Sequence, residues 1–389
     1  VTFNIDNGYS EALVRGMRAS FLRKEEYDTL NDCKKLEEVK MVLEDTDYLA
    51  YVQTEPSPIA PSRIKTRMRE KLAKEFEHLK SVAAPELHEF LERVSHKYMI
   101  DNVVTLIEGT RNQEPEERML AATNPLGHFT GMKDIINFHG EDFAELYQIV
   151  LLDTPVGQYF TRFIDDCIDI SSLESRNLQD VNRQFREVTP EMLRITLQKI
   201  WLEELYAFCQ NCNATSRELL NDLLCFEADC MTIQIIYNSL NVPDLVSPAA
   251  RESDRKQLCP NFGYLYQYAE QNLAKAHDLV TLKAAVSFID VYRDLLDRVP
   301  DPVRREELAD PTKVSLDTKM YAVKCRKYSA CFDLQFHYGS FYAYLRLKEQ
   351  EIRNVALIAE MVPLARERDA IKKLPEQMIP FHCLMIPAS

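Results

Sequence analysis

Nine glycines in 389 residues is about a third of the share usual in globular chains. Glycine is the residue that enters left-handed backbone without steric cost, so its scarcity leaves few tight reversals and favours long regular elements. The same scarcity removes phosphate-cradling loops. No pair of glycines fits GxGxxG, and none precedes Lys-Ser or Lys-Thr as a P-loop requires. Nucleotide binding through a glycine-rich loop is excluded.

Helical periodicity fills the space that glycine leaves. In "SRIKTRMREKLAKEFEHLKSVA" (62–83), Ile64, Met68, Leu72, Phe76 and Leu79 recur in steps of four and three, with Arg63, Lys65, Arg67, Arg69, Lys71, Lys74 and Lys80 at the other positions. This predicts an amphipathic, locally basic helix. Thr189 before Pro190 and Glu191 marks a helix start, and "TSRE" (215–218) reads as a capping box. A helix is expected from near Ser315, separated by Gly339 from a long one running from Phe341 to about Lys373. In the latter, Phe341, Leu345, Ile352, Val355, Ala359 and Val362 form a narrow apolar seam. Few segments alternate with a period of two, and no Asn-Gly or Asp-Gly hairpin turn follows them. The expected class is all-α.

Irregular backbone is expected at 54–62, 171–187, 241–257 and 298–313, which divides the chain into three helical blocks. "VLEDT" (42–46) returns as "VLLDT" (150–154), each followed by tyrosine, with a weaker echo in "FIDVYRDLL" (288–296). Self-similarity at this scale points to repeated helical units. The expectation is one unit over 1–389 with pseudo-threefold lobes at 1–122, 123–245 and 246–381, and a tail at 382–389.

The net charge of -14 argues against nucleic acid, which is bound by clustered Lys and Arg. No apolar run reaches the roughly 18 residues of a membrane span. The richest, "LYQIVLLDTPV", is cut by Asp153 and Pro155. The chain reads as cytosolic. Ten cysteines are scattered through it instead of framing a small disulfide scaffold. Cys209 and Cys212 resemble half a zinc site, but no second half follows, and no structural metal is expected.

Chemistry is suggested most directly by "FIDDCID" (163–169), where Asp165, Asp166 and Asp169 spell the DDxxD of magnesium-dependent isoprenoid synthases. Magnesium takes one or two protein carboxylates plus substrate phosphates, so such an enzyme needs a second acidic motif across its cavity. "NDLLCFEAD" (221–229) offers Asn221, Asp222 and Asp229, with Cys225 where a hydroxyl ligand belongs. Only a polar stretch separates the two motifs. The alternative is a solvated helix end running into a polar loop. The eight histidines are dispersed, with neither HExxH nor GxSxG, and His337 reads as a core residue. No catalytic, cofactor-binding or metal-binding residue is assigned.

Aromatic and charged character is concentrated where Phe336, Tyr338, Phe341, Tyr342 and Tyr344 lead into "LKEQEIRN". Core packing explains it, and so does a partner surface, since interface cores are rich in Tyr, Phe and Arg. The candidate interface residues are Phe336, Tyr338, Phe341, Tyr342, Glu349, Glu351 and Arg353. Glu349 and Arg353 are spaced to pair along one helix face.

Together, "FNIDNGYSEALVRGMRA" (3–19), "YMIDNVVTLIEGT" (98–110), "NPLGHF" (124–129), "LLDTP" (151–155), "LEELYAFC" (202–209), "FEAD" (226–229), "CPNFGYLY" (259–266) and "FHYGSFYAYLRLKEQEIRNVALIAE" (336–360) resemble the d subunits of V-type proton-pumping ATPases. The similarity is colinear from near Phe3 to Phe381, departing in a polar insertion around 171–188 and in the tail after Phe381. The resemblance implies a non-catalytic, cofactor-free, funnel-like rotor subunit that passes ATP-driven rotation to a proton-moving ring. It implies the proteolipid ring, the central-stalk subunits and other membrane-sector subunits as partners. It also implies a peripheral position on the cytoplasmic face of vacuolar or other internal membranes, reached through those partners.

Overall fold

The computed structural model describes residues 2–136, 154–167, 188–241, 248–268, 272–308, 310 and 312–363, and among them every regular element is a helix. The expected all-α class is what folds. Val1–His88 and Cys209–Ser389 make one compact unit, and Glu89–Phe208 make the other. The insertion around 171–188, the tail at 382–389 and the "VLLDT" repeat up to Asp153 lie outside the described residues.

The first unit is built around α1 (Thr2–Arg18), α2 (Pro61–Val82), α5 (Ala214–Ser239), α6 (Leu316–Ala330) and α7 (Gly339–Met361). Pro61 opens α2, where a missing N–H costs nothing. The predicted stripe Ile64, Met68, Leu72, Phe76 and Leu79 is buried, and Lys71 is buried with it. Lys71 tolerates this because its ammonium meets Asp47 Oδ2 at 2.9 Å and the Glu75 carboxylate one turn on.

α5 starts earlier than the capping box predicts. Its cap is Asn213, whose side chain accepts the Ser216 N–H at 2.8 Å, a role Asn fills as well as Ser or Thr. Ser216 Oγ is thereby left to accept the Tyr338 N–H at 2.8 Å. α6 is capped by Ser315 as expected. Gly339 is the first residue of α7 and not a spacer, and the turn at 331–338 separates the two helices. A Cβ at Gly339 would lie 3.0 Å from His337 Nδ1, so glycine makes room for a buried imidazole.

The expected seam of α7 is buried, and so is nearly everything else on the helix. What remains outside is the narrow line of Glu349, Arg353, Leu357 and Glu360, with Met361 at the helix end. α7 is enclosed because α1, α2, α5 and α6 all pack against it. Its expected extension to Lys373 passes beyond the described residues. Within 241–257, read as irregular, residues Pro248–Leu258 form a helix. Polar composition is overridden there by one tertiary anchor: buried Arg255 donates through Nη1 to the carbonyls of Ala274 and Ala276, at 2.8 and 2.5 Å.

The second unit centres on the part of α3 (Pro85–Arg111) beyond His88 and on α4 (Pro190–Cys209). Thr189 caps α4 as expected, its hydroxyl accepting the Met192 N–H at 3.2 Å. Phe90 and Phe208 stack with centroids 6.5 Å apart, and Trp201 Nε1 donates to the Arg93 carbonyl at 2.7 Å. Asn102 holds Asn124 in both directions, donating to its carbonyl at 2.9 Å and accepting its N–H at 2.7 Å. The turn at 125–127 then lies so close that a Cβ on Gly127 would sit 2.3 Å from the Tyr98 backbone. "YMIDN" and "NPLGHF" are therefore two halves of one docking contact. No helix among the described residues is long and apolar enough to cross a membrane.

Candidate functional site

Lys348 and Glu351 stand three residues apart on one face of α7, both fully buried, with Nζ 2.6 Å from Oε1. Glu351 also accepts the Leu22 N–H and the Tyr48 hydroxyl, each at 2.7 Å. Lys348 lies 4.7 Å from the ring centroids of Phe21 and Tyr48. Burial and the neighbouring Glu351 charge push the Tyr48 hydroxyl well above its ordinary pKa, so it stays protonated and keeps the hydrogen it donates. One turn earlier, Glu227 of α5 accepts the hydroxyls of Tyr342, at 2.8 Å, and Tyr328, with Arg346 3.7 Å away. These charges are committed to one another. A buried pair is worth little net stability, but a slip that separates it leaves an uncompensated charge. Such a helix has a fixed rotation and register, and the arrangement supports rigidity and not turnover.

The structure divides the predicted interface residues. Tyr338, Phe341, Tyr342 and Glu351 are buried in the unit's own core, whereas Phe336, Glu349 and Arg353 reach the surface. The first four are enclosed because α7 is surrounded, which its periodicity alone does not reveal. The expected Glu349–Arg353 pair gives way as well. Glu349 Oε2 accepts from Arg346 Nη1 at 3.1 Å, and Arg353 stacks on Tyr321, 4.2 Å from the ring centroid.

Phe336 belongs to a built surface. The turn at 331–338 exposes Leu334 and Phe336, 50% and 45% accessible. Phe336 has φ 67, a left-handed conformation that costs a bulky residue roughly 1–2 kcal/mol. α1 holds the turn in place. The Glu11 carboxylate accepts the Phe336 N–H at 3.0 and 3.2 Å, Arg15 donates to the carbonyls of Phe332, at 2.8 Å, and Leu334, and Arg18 lies 4.1 Å from the Phe332 ring centroid. His337 is buried in the same turn, and burial lowers its pKa. Strained backbone persists only where its surroundings enforce it, and here those surroundings hold two apolar side chains outward. Leu334, Glu11 and Arg15 escape sequence reasoning. The spacing of Glu11 and Arg15 signals an i,i+4 pair, which looks the same on any solvated helix. Elsewhere an exposed aromatic pair, Tyr268 and Phe288, has centroids 4.4 Å apart.

The acidic motifs resolve differently. Asp165 and Asp166 are exposed at the end of the helix Gly157–Cys167, and Asp169 lies outside the described residues. Asp222 is bound by Lys327 Nζ at 2.7 Å and by the Tyr264 hydroxyl at 3.0 Å. Asp229 is fully buried and accepts the N–H groups of Tyr264 and Leu265, both at 3.0 Å, and the Tyr292 hydroxyl at 2.5 Å. Gly263, φ +122, brings that loop in, and a Cβ there would lie 2.4 Å from Asp229 Oδ1. "FEAD" and "CPNFGYLY" thus form another docking contact, in which the Asp229 carboxylate is engaged within the fold. Among the described residues, no group of three His, Cys, Asp or Glu is placed to hold a metal.

Residues 10–374 match the family described as ATP synthase (C/AC39) subunit. V-type proton ATPase subunit d1 of Arabidopsis thaliana is 34% identical over 362 residues, 93% of this chain and 94% of the relative. Subunit d of Dictyostelium discoideum is 34% identical over 361 residues, covering 93% and 92%. Subunit d of Saccharomyces cerevisiae is 30% identical over 365 residues, covering 93% and 95%.

Proposed function

Because the chain belongs to the ATP synthase (C/AC39) subunit family, we propose that its work is mechanical, in the rotor of a V-type proton-pumping ATPase. It is a non-catalytic subunit of that complex, in which other chains hydrolyse ATP and move protons. The reading is carried by similarity that extends over more than nine-tenths of both this chain and the d subunits it matches.

In its finer form the proposal seats the chain on the cytosolic face of the proteolipid ring, beneath the central stalk, with ring and stalk subunits as partners. Membrane association then runs through those partners. The lobes 1–122, 123–245 and 246–381 are the proposed repeats of a funnel-like body. Densely packed interiors transmit strain instead of absorbing it, and α7, with its interlocked buried charges, supports a coupling role. The clamped turn bearing Leu334 and Phe336 is the proposed contact surface, together with the exposed Glu349 and Arg353. The isoprenoid-synthase alternative lacks support, since Asp222 and Asp229 are engaged within the fold.

Depletion of the chain from cells tests this. Proton transport into isolated vesicles is expected to stop while ATP hydrolysis by the separated catalytic sector continues, and tagged chain is expected to recover the other subunits. Normal acidification in depleted vesicles, or recovery of the tagged chain alone, would overturn the proposal.

A further inference from the structure

Lys65 and Arg69 lie one turn apart on α2, and Arg353 stands on the exposed line of α7. The two helices pack along each other. Lys65 feels both arginines as like charges: burial, Arg69 and Arg353 lower its pKa, while Glu360 pulls it upward. Other cations of α2 are paired within the chain, Arg63 and Arg67 with Glu55, Lys71 with Asp47 and Glu75. Among the described residues, Lys65, Arg69 and Arg353 have no acid within ion-pairing distance. Glu349, the natural partner of Arg353, is taken by Arg346. Arg353 instead lies against Tyr321 of α6, and stacking leaves a guanidinium's in-plane N–H fork open to a carboxylate.

We propose that Lys65, Arg69 and Arg353 form a docking patch for an acidic segment of another subunit of the complex, whose carboxylates complete the ion pairs left open among the described residues. The inference rests on the reading that the chain assembles into a multisubunit ATPase, and it adds the chemistry of one contact. Charge complementarity identifies the partner. On a body of net charge -14, an acidic segment is repelled broadly and drawn to the cationic patch, which sets orientation as well as attraction. A membrane surface is the poorer fit, because anionic lipid is held by polybasic clusters of about four to eight cations.

The test uses the full chain in assembled complexes. Lys65→Glu/Arg353→Glu is expected to melt like the wild type and to co-purify with the other subunits about tenfold less well. Raising salt from about 50 to about 300 mM is expected to weaken the wild type's hold more than the variant's. A photocrosslinking residue at position 353 is expected to capture a peptide of another subunit carrying at least two acids. Undiminished co-purification of the variant, or a captured peptide without Asp or Glu, would overturn the patch. Arg353-dependent binding to phosphoinositide vesicles with unchanged co-purification would reassign it to lipid, also against the proposal. If the double reversal misfolds, Arg353→Gln is read in the same assays. Wild type that recovers no ATPase subunit would instead sink the functional reading, and the charge of the captured peptide would still judge the patch.

Discussion

At Gly263 the backbone has φ +122, and a Cβ would fall 2.4 Å from the Asp229 carboxylate. Gly263→Ala is therefore expected to destabilise the protein by about 2–4 kcal/mol, combining left-handed strain with a displaced loop. Calorimetry checks this, and a change under about 0.5 kcal/mol would refute the docking account. Asp229 also gives a pH dependence. Burial raises its carboxyl from 3.8 to about 6, with the Tyr292 hydroxyl and the Leu265 and Tyr264 amides pulling it down. A raised folded-state value means that the folded protein takes up a proton as pH falls through 6, so this group's contribution to stability grows on acidification. Relative to Asp229→Asn, the wild type is expected to gain on the order of 1 kcal/mol between pH 7 and pH 5. Melting curves at the two pH values measure it, and a gap that narrows on acidification would contradict the assignment. Both motifs are visible in the sequence, but their contact is not, because 35 residues separate Asp229 from Tyr264.

For a helix, the question is how many neighbours surround it. The periodicity of α7 shows which residues share a face, and its seam of Phe341, Leu345, Ile352, Val355, Ala359 and Val362 is buried as that periodicity predicts. Spacing carries no information about the other faces, so it leaves open whether Glu351 meets a neighbouring helix or a partner, and the structure places it in the core against Lys348. Glu351→Ala is expected to cost about 3–5 kcal/mol by leaving Lys348 buried and uncompensated. Glu349→Ala, two positions away and partly exposed, is expected to cost under about 1 kcal/mol. Circular dichroism melts of the two variants compare them directly. Equal costs would mean that α7 is not enclosed as described.

At the scale of the molecule, the chain's single tryptophan, Trp201, lies in the unit formed by Glu89–Phe208. Its fluorescence reports that unit, while far-ultraviolet circular dichroism reports helices in both. Gly127→Ala, which forces the 125–127 turn off the Tyr98 backbone, is expected to lower the urea midpoint of the tryptophan signal more than that of the helical signal. Gly263→Ala is expected to do the reverse. Coincident transitions in both variants would show that the two units unfold as one. Alkaline carbonate is also expected to release the protein from membranes without detergent, and chain retained in the pellet would argue against attachment through partners.

Glycine scarcity, helical spacing and the ordered motifs were enough to read the all-α class, the main helix in each unit and the family, because periodicity and colinear similarity are properties of the chain itself. The turn that exposes Phe336, the enclosure of α7 and the placement of Arg353 over Tyr321 were decided only in three dimensions. Each depends on residues far along the chain: Glu11 lies 325 positions from Phe336, and Leu22 lies 329 from Glu351. A spacing rule sees one helix at a time, whereas burial and ion pairing belong to whatever other helices the fold brings alongside.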